Sequence, residues 1–147
     1  MPIEVVNESV EAARLTASAM NVQPWHFVIV VERESLQELG KLVKTGPYIA
    51  QAQAAVVAAC DKATATAVSD ISRAIQSMML TAWDYKVGTN WTGFGGLEDV
   101  RKFVGLPDTY DVIGVVPFGD PKRLTGLGKK KRKPIEDVVS VEKFGAR

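Results

Sequence analysis

Between residues 66 and 86 the apolar side chains Val68, Ile71, Ile75, Met78, Ala82 and Tyr85 follow one another at steps of three and four, the mark of a single helical seam. Met79, Leu80 and Trp83 widen that seam to most of the circumference. A helix that is apolar on several sides must be covered on several sides. The chain has 147 residues, enough for one domain, and a domain that small rarely covers such a helix completely. The spacing therefore predicts a helix buried on several sides, with its spare face a candidate subunit interface.

The segments around it alternate in type. Residues 4–19 carry Val6, Val10, Ala13 and Ala17 at helical spacing, with Glu4, Glu8 and Glu11 early, where the helix dipole favours acids. Asn21 and Pro24 then predict an irregular link. Trp25–Val31 is aromatic and β-branched, a buried strand. Ser35 and Glu38 have capping-box spacing ahead of a helix through Leu36, Leu39 and Val43, which stops near Gly46-Pro47. Ala54–Cys60 reads as a second buried strand, its alanines leaving a helix as the alternative. Gly88–Gly96 is a glycine-rich loop, and 97–104 a short helix closed by Gly105 and Pro107. Val112–Phe118 is a third strand, in which Pro117 implies an edge or a bulge. Beyond the basic run, residues from Pro134 onward suggest a turn and a strand at Val138–Val141. With no repeat and no linker, the pattern gives a single domain, 1–147, of three-layer α/β or α+β type.

Composition removes several classes. Apolar residues make up 46% and charged residues 24%, the balance of an ordinary globular chain. Cys60 is the lone cysteine, so no intrachain disulfide forms and a reducing compartment fits. No apolar run reaches the roughly 18 residues of a membrane span. The start, Met1-Pro2-Ile3-Glu4, lacks the basic and apolar regions of a secretory signal. The expected location is the cytoplasm. The net charge is +1, yet seven cations and no acid fall within residues 121–135. A basic cluster on an otherwise acidic chain points to a specific anionic ligand more than to a general polyanion surface. No aromatic interleaves those cations, which argues against single-strand nucleic-acid stacking.

Few residues offer independent chemistry. One His and one Cys exclude a zinc centre of the usual ligand set. A Cys60–His26 nucleophile pair competes with the plainer reading of a packed thiol and a residue at the start of a strand. Gly93–Glu98 places Glu98 where a dinucleotide fingerprint needs its last glycine. Gly128-Lys129-Lys130 lacks the hydroxyl residue and the earlier glycine of a phosphate-binding P-loop. What remains are positioning groups: the polar run Asn21–Trp25, the Trp91-Thr92-Gly93 loop, and Lys130 and Arg132, two apart in an extended tail and suited together to a phosphate. Such a set fits a chain that orients a cofactor which carries the chemistry itself.

The run Ser18-Ala19-Met20-Asn21-Val22-Gln23-Pro24-Trp25, followed by an apolar strand, resembles the Ser-x-x-Asn-x-Gln-Pro-Trp signature of the FMN-dependent nitroreductase family. The similarity continues in order through Ala74–Ala82, Gly88–Gly93, Val104–Pro107, Val115–Pro121 and Lys130–Pro134, and covers roughly residues 10–140. The resemblance implies an α+β, three-layer α/β/α fold with a central mixed sheet, working as a homodimer with FMN at the subunit interface. It implies hydride transfer from NAD(P)H to the flavin and on to a nitroaromatic, quinone or similar small acceptor, with no catalytic protein acid or base. Carried over by position, Ser18, Asn21 and Gln23 contact the flavin or its ribityl chain, often from the partner subunit. Trp91, Thr92 and Gly93 lie along the ring, backbone N–H groups and nearby cations stabilise the charge of its reduced form, and Lys130 and Arg132 hold the phosphate.

The chain departs from the family pattern in three places. The Arg-Arg-Ser-x-Arg segment that grips the phosphate is not matched, and Arg14 is the only basic residue before Arg33, so the phosphate is expected to depend on the tail. Thr92 stands where an acidic residue is usual. Little room lies between Cys60 and Ser69 for the insertion that roofs the pocket, so a more open pocket is expected. A non-catalytic flavin-binding or degenerate dimerisation module is the alternative these departures suggest; a basic-tailed nucleic-acid-associated protein is the third reading.

Overall fold

The computed structural model describes residues 1–93, 95–122 and 130–146. Its elements are α1 (Ile3–Arg14), β1 (Trp25–Val30), α2 (Arg33–Leu42), β2 (Ala54–Asp61), α3 (Ala67–Asp84), β3 (Gly88–Thr89), α4 (Glu98–Phe103) and β4 (Tyr110–Gly119). Short 3-10 turns cover Ala19–Asn21, Pro47–Gln51 and Ile135–Asp137. Phe94 of the glycine-rich loop and residues 123–129 of the basic run lie outside the described residues.

The four strands form one sheet in the order β1-β2-β4-β3. β2 is its axis, and its small side chains are why two helical layers can close on it. Ala54, Val56, Ala58 and Cys60 join Val6 and Ala13 of α1 and Ile71, Ile75 and Met78 of α3 in one core. Ala55, Val57 and Ala59 face the other way, against Leu36 and Leu39 of α2 and Val100 of α4. A strand buried on both faces reads as a continuous apolar run rather than an alternation. This decides Ala54–Cys60 as strand and gives the expected three-layer α/β/α arrangement.

The expected mixed sheet is corrected: all pairings among the described strands are antiparallel. The reason lies in the excursion between β1 and β2. The Pro47–Gln51 turn folds back along α2, where a Cβ on Gly40 would come within 2.8 Å of the Ala50 Cβ. The chain thus re-enters the sheet at the end it left, with Val30 opposite Ala55.

Other expectations are adjusted by tertiary contacts. α1 ends at Arg14 rather than at residue 19. α2 starts at Arg33, so Ser35 lies inside its first turn and does not cap it. Arg33 fixes that start by donating to the carbonyls of Ala50, by a short contact, and of Ala52 at 3.1 Å. In α3 the seam holds through Ile71, Ile75, Met78 and Ala82, while Val68 and Tyr85 at its ends turn outward. A stripe that repeats every seven residues drifts around a 3.6-residue helix, and Ala67, Asp70 and Ala74 complete the buried side. Pro117 lies in β4, which is flanked by β2 and β3 and is not an edge. Val115 exchanges both backbone bonds with Thr92. Two residues on, Pro117 presents its nitrogen to that same β3 side, so its missing N–H takes nothing from the β2 ladder. The bulge falls elsewhere in β4, where the register slips between Ala58↔Gly114 and Ala59↔Val112 and leaves Ile113 extra. The strand expected at Val138–Val141 is not formed among the described residues; a 3-10 turn and bends replace it, with Val138, Val139, Val141 and Phe144 exposed.

Candidate functional site

The polar run after α1 is folded tightly. Met20, Asn21 and Gln23 all have left-handed backbones, with φ of 50°, 57° and 53°. That conformation costs an L-residue about 1–2 kcal/mol, so local bonds must hold it. Ser18 Oγ accepts the Gln23 N–H at 2.9 Å, and Gln23 Nε2 donates to the Asn21 carbonyl at 3.2 Å. Pro24 is buried, and its carbonyl accepts from Asp61 N–H at the start of the sheet. The Asn21 and Gln23 side chains face outward. Strain concentrated in this way is a feature of functional segments.

A residue the sequence reading passed over anchors this turn. Asp70, in the first turn of α3, is fully buried. It accepts the Ala19 N–H at 3.2 Å, the Thr66 hydroxyl at 2.9 Å and a short charged bond from Arg73. Burial pushes its pKa up, but the bonds from Thr66, Ala19 and Arg73 outweigh that and hold it below the usual carboxylate range. The signal was present: Thr66, Asp70 and Arg73 at helical spacing, with an acid at a position the seam makes internal.

The second group lies beside β4, with Trp91 packed against the same core as α1 and α3. Trp91 Nε1 donates to the carbonyl of the bulged Ile113 at 3.3 Å. Its indole fits because the next residue is Gly114, where a Cβ would overlap Nε1 and lie 2.6 Å from Cδ1. Thr92 is 2% exposed and bonds Val115 in both directions, at 3.0 and 2.8 Å. Gly93, at φ +83°, donates its N–H to Thr45 Oγ1 at 3.1 Å, and the Thr45 and Thr92 hydroxyls are 3.2 Å apart. Gly46 makes room for this contact, since a Cβ there would stand 2.7 Å from Thr92 Oγ1. The backbone N–H groups of Thr92 and Gly93 are therefore already used within the chain. The exposed backbone of the loop is at Gly95 and Gly96 instead.

Those glycines border a cleft of about 660 Å³, shared with Val68 and Ser72 of α3, Trp91, Arg101 and Ile113. This lies within the size range of small-molecule sites. Asp61 closes the turn into α3, accepting from Ala63 N–H and Thr64 Oγ1. The connection there is short. Arg101 brings no free charge to the cleft: it pairs with Glu98 at 2.6 Å and Asp108 at 2.5 Å and donates to the Leu106 carbonyl. The hydrogen bond from Arg101 pulls the Glu98 carboxyl down to about 2.

Val68 and Ser72 lie one turn apart on one flank of α3, while Asp70 faces the opposite flank, toward α1. The Ser18–Gln23 turn and the Trp91 cleft thus sit back to back across the start of α3, at the end of the sheet where Trp25, Cys60 and Asp111 pair. Lys130 and Arg132 are exposed and form no ion pair with a described residue.

Cys60 and His26 do not act together. The strand register sets Cys60 opposite Trp25, and exposed His26 stacks edge-on to Tyr110. Burial first, then Asp111 and Asp61, push the Cys60 thiol up to about 11, which keeps it protonated and inert.

The model of the nitroreductase family matches residues 1–66 and 50–120. A protein of Methanothermobacter thermautotrophicus, named as an NADH dehydrogenase/NAD(P)H nitroreductase, is 31% identical over 134 residues, 86% of this chain and 70% of that one. The crystal structure of a Bacteroides thetaiotaomicron protein of the same name superposes with a TM-score of 0.86 at 27% identity, over 98% of this chain and 87% of that one. An FMN-dependent nitroreductase from Clostridium difficile shares the fold, with a TM-score of 0.80 at 21% identity, over 93% of this chain and 83% of that one. Among the described residues, no helix is long and apolar enough to cross a membrane.

Proposed function

The chain belongs to the nitroreductase family, and on that premise we propose that it is an FMN-dependent oxidoreductase that passes hydride from NAD(P)H to a nitroaromatic, quinone or similar small acceptor. The observation that carries the reading is the pair of half-sites on opposite flanks of α3. One offers outward amides at Asn21 and Gln23; the other offers a cleft with an aromatic wall, Trp91, and exposed glycine backbone at 95–96. Both suit a flat, polar ring system with a hydroxylated chain. When bound, FMN supplies the redox chemistry, accepting and donating hydride at its ring.

A single chain holds the two half-sites apart, so one flavin that touches both needs two chains. The outer face of α3 supports that reading, with Leu80 at 60% and Trp83 at 41% exposure. So does the exposed apolar tail, Ile135, Val138, Val139, Val141 and Phe144. Large apolar groups exposed together mark an interaction surface. In the dimer, Ser18, Asn21 and Gln23 of one subunit face the Trp91 cleft of the other. Ser18 closes the turn and Asn21 and Gln23 hydrogen-bond the cofactor. Trp91 flanks the ring, with Thr92 and Gly93 setting the indole's position from behind. Lys130 and Arg132 hold the phosphate, since Arg101 is already neutralised. The short connection between β2 and α3 leaves the acceptor side open, which favours a broad range of small aromatic acceptors. The lone buried thiol fits a reducing, cytoplasmic setting.

The test is spectroscopic. Purified full-length protein is expected to take up FMN with quenching of its fluorescence, to sediment as a dimer, and to bleach on anaerobic addition of NADH or NADPH. FMN uptake without bleaching selects the non-catalytic flavin-binding reading. A chain that stays monomeric and takes up no FMN overturns both.

A further inference from the structure

We propose that Asp70 is a positioning residue for the flavin-binding turn: its buried carboxylate, by accepting the Ala19 N–H, fixes Ser18–Gln23 in the left-handed form that presents Asn21 and Gln23. The proposal rests on the FMN reading above.

Three features support it. Asp70 is wholly buried, and its partners among the described residues are Thr66, at the N-cap of α3, Arg73 on the helix, and Ala19, the one of the three that lies away from α3. A buried carboxylate needs such bonds, but two bonds from α3 and its N-cap would serve a purely local role. The third reaches 51 residues back along the chain to the first residue of the turn. The turn it reaches is the most strained stretch of backbone described, with three non-glycine residues of positive φ within four positions. The turn's other bonds among the described residues, from Gln23 N–H to Ser18 Oγ, from Gln23 Nε2 to the Asn21 carbonyl, and from the Asn21 and Val22 N–H groups to the Ser18 and Ala19 carbonyls, are all internal to it. They shape the turn but do not tie it to the body of the protein at that point. Asp70 supplies the tie, from the helix whose opposite flank, at Val68 and Ser72, lines the cleft. One helix end therefore sets both half-sites.

The variants Ala19→Pro and Asp70→Asn separate this role from folding. Proline removes the Ala19 N–H and leaves Asp70 with Thr66 and Arg73. Ser18 already has φ −122° and ψ 157°, the extended form that a residue before proline adopts, and proline suits the first position of a helical turn. FMN affinity, the thermal midpoint of the flavin-free protein and amide hydrogen exchange of residues 18–23 are measured on the full chain. Ala19→Pro is expected to bind FMN about tenfold more weakly, the loss of one charge-assisted bond, and Asp70→Asn, whose amide oxygen still accepts the Ala19 N–H without charge, to bind it more weakly than the parent by a smaller factor. Exchange in the turn is expected to rise, with the midpoint of Ala19→Pro close to that of the parent. Unchanged FMN affinity in both variants overturns the proposal. A fall in affinity matched by an equal fall in midpoint in both reduces Asp70 to a folding role and also overturns it. A parent chain that binds no FMN removes the functional reading itself, and this proposal with it.

Discussion

The indole of Trp91 occupies the space that a side chain at position 114 would fill: a Cβ on Gly114 would lie 2.6 Å from Trp91 Cδ1. The same ring donates to the carbonyl of Ile113, the residue that the bulge leaves extra. The aromatic wall of the cleft is thus keyed to one missing side chain and one displaced peptide.

Gly114→Ala is therefore expected to expel the indole and break its bond to Ile113. Overpacking of this kind costs about 1–3 kcal/mol, read as a fall in the denaturant midpoint. Trp91→Phe loses the Ile113 bond but keeps the bulk. The double variant should be less destabilised than the sum of the two, because both act on one contact. Full additivity in equilibrium unfolding would show that the two residues do not share this contact.

Thr45 is the hidden support of the loop. Its hydroxyl accepts the Gly93 N–H and meets Thr92 Oγ1. Thr45→Val keeps the shape and leaves that N–H without its acceptor, at a cost of about 1–3 kcal/mol. Thr45→Ser is expected to restore the midpoint, which chemical denaturation of the three proteins will show.

For the phosphate, Arg132→Ala should weaken FMN binding far more than Lys122→Ala. A lost charge-assisted contact is worth about 1.5–3 kcal/mol, or roughly ten- to a hundredfold in dissociation constant. Fluorescence titration with FMN reads the difference; equal constants would remove the tail from the site.

Acid should loosen the α4 clip. Glu98 has its folded pKa depressed from 4.5 to about 2, chiefly by its hydrogen bond to Arg101. A depressed carboxylate contributes stability above its unfolded pKa and loses it as pH falls through the folded one. That contribution is thus present above about pH 4.5 and fades toward pH 2. Glu98→Gln should flatten that part of the pH dependence of the thermal midpoint; an unchanged profile would show that the pair adds nothing.

Much of this was legible in the residues, and the failures have physical causes. β1, β2 and the seam of α3 were readable because burial writes directly into apolar pattern. Three layers were readable too, while their α/β/α order came from the family resemblance. The ends of elements were not, because they are set by distant partners: Asp70 takes the Ala19 N–H beyond the end of α1, and Arg33 sets the start of α2 from the carbonyls of Ala50 and Ala52. Sheet polarity escaped because the reversal depends on Gly40 lying against Ala50. In the candidate site, the residue types at 18–23 and 91–93 were visible, but which groups remain free was not. Thr92 and Gly93 carry the right chemistry and spend it internally, which only the positions of Val115 and Thr45 reveal.

Because the Ala19 turn is tied to one flank of the start of α3 and the cleft opens at Val68 on the other, a lesion on either side leaves the other intact. Under the two-chain reading, damage becomes divisible between copies. Co-expressing a chain crippled at Asn21 and Gln23 with one crippled at Trp91 should regenerate a sound centre in each hybrid, alongside one broken twice. Neither parent alone would hold any.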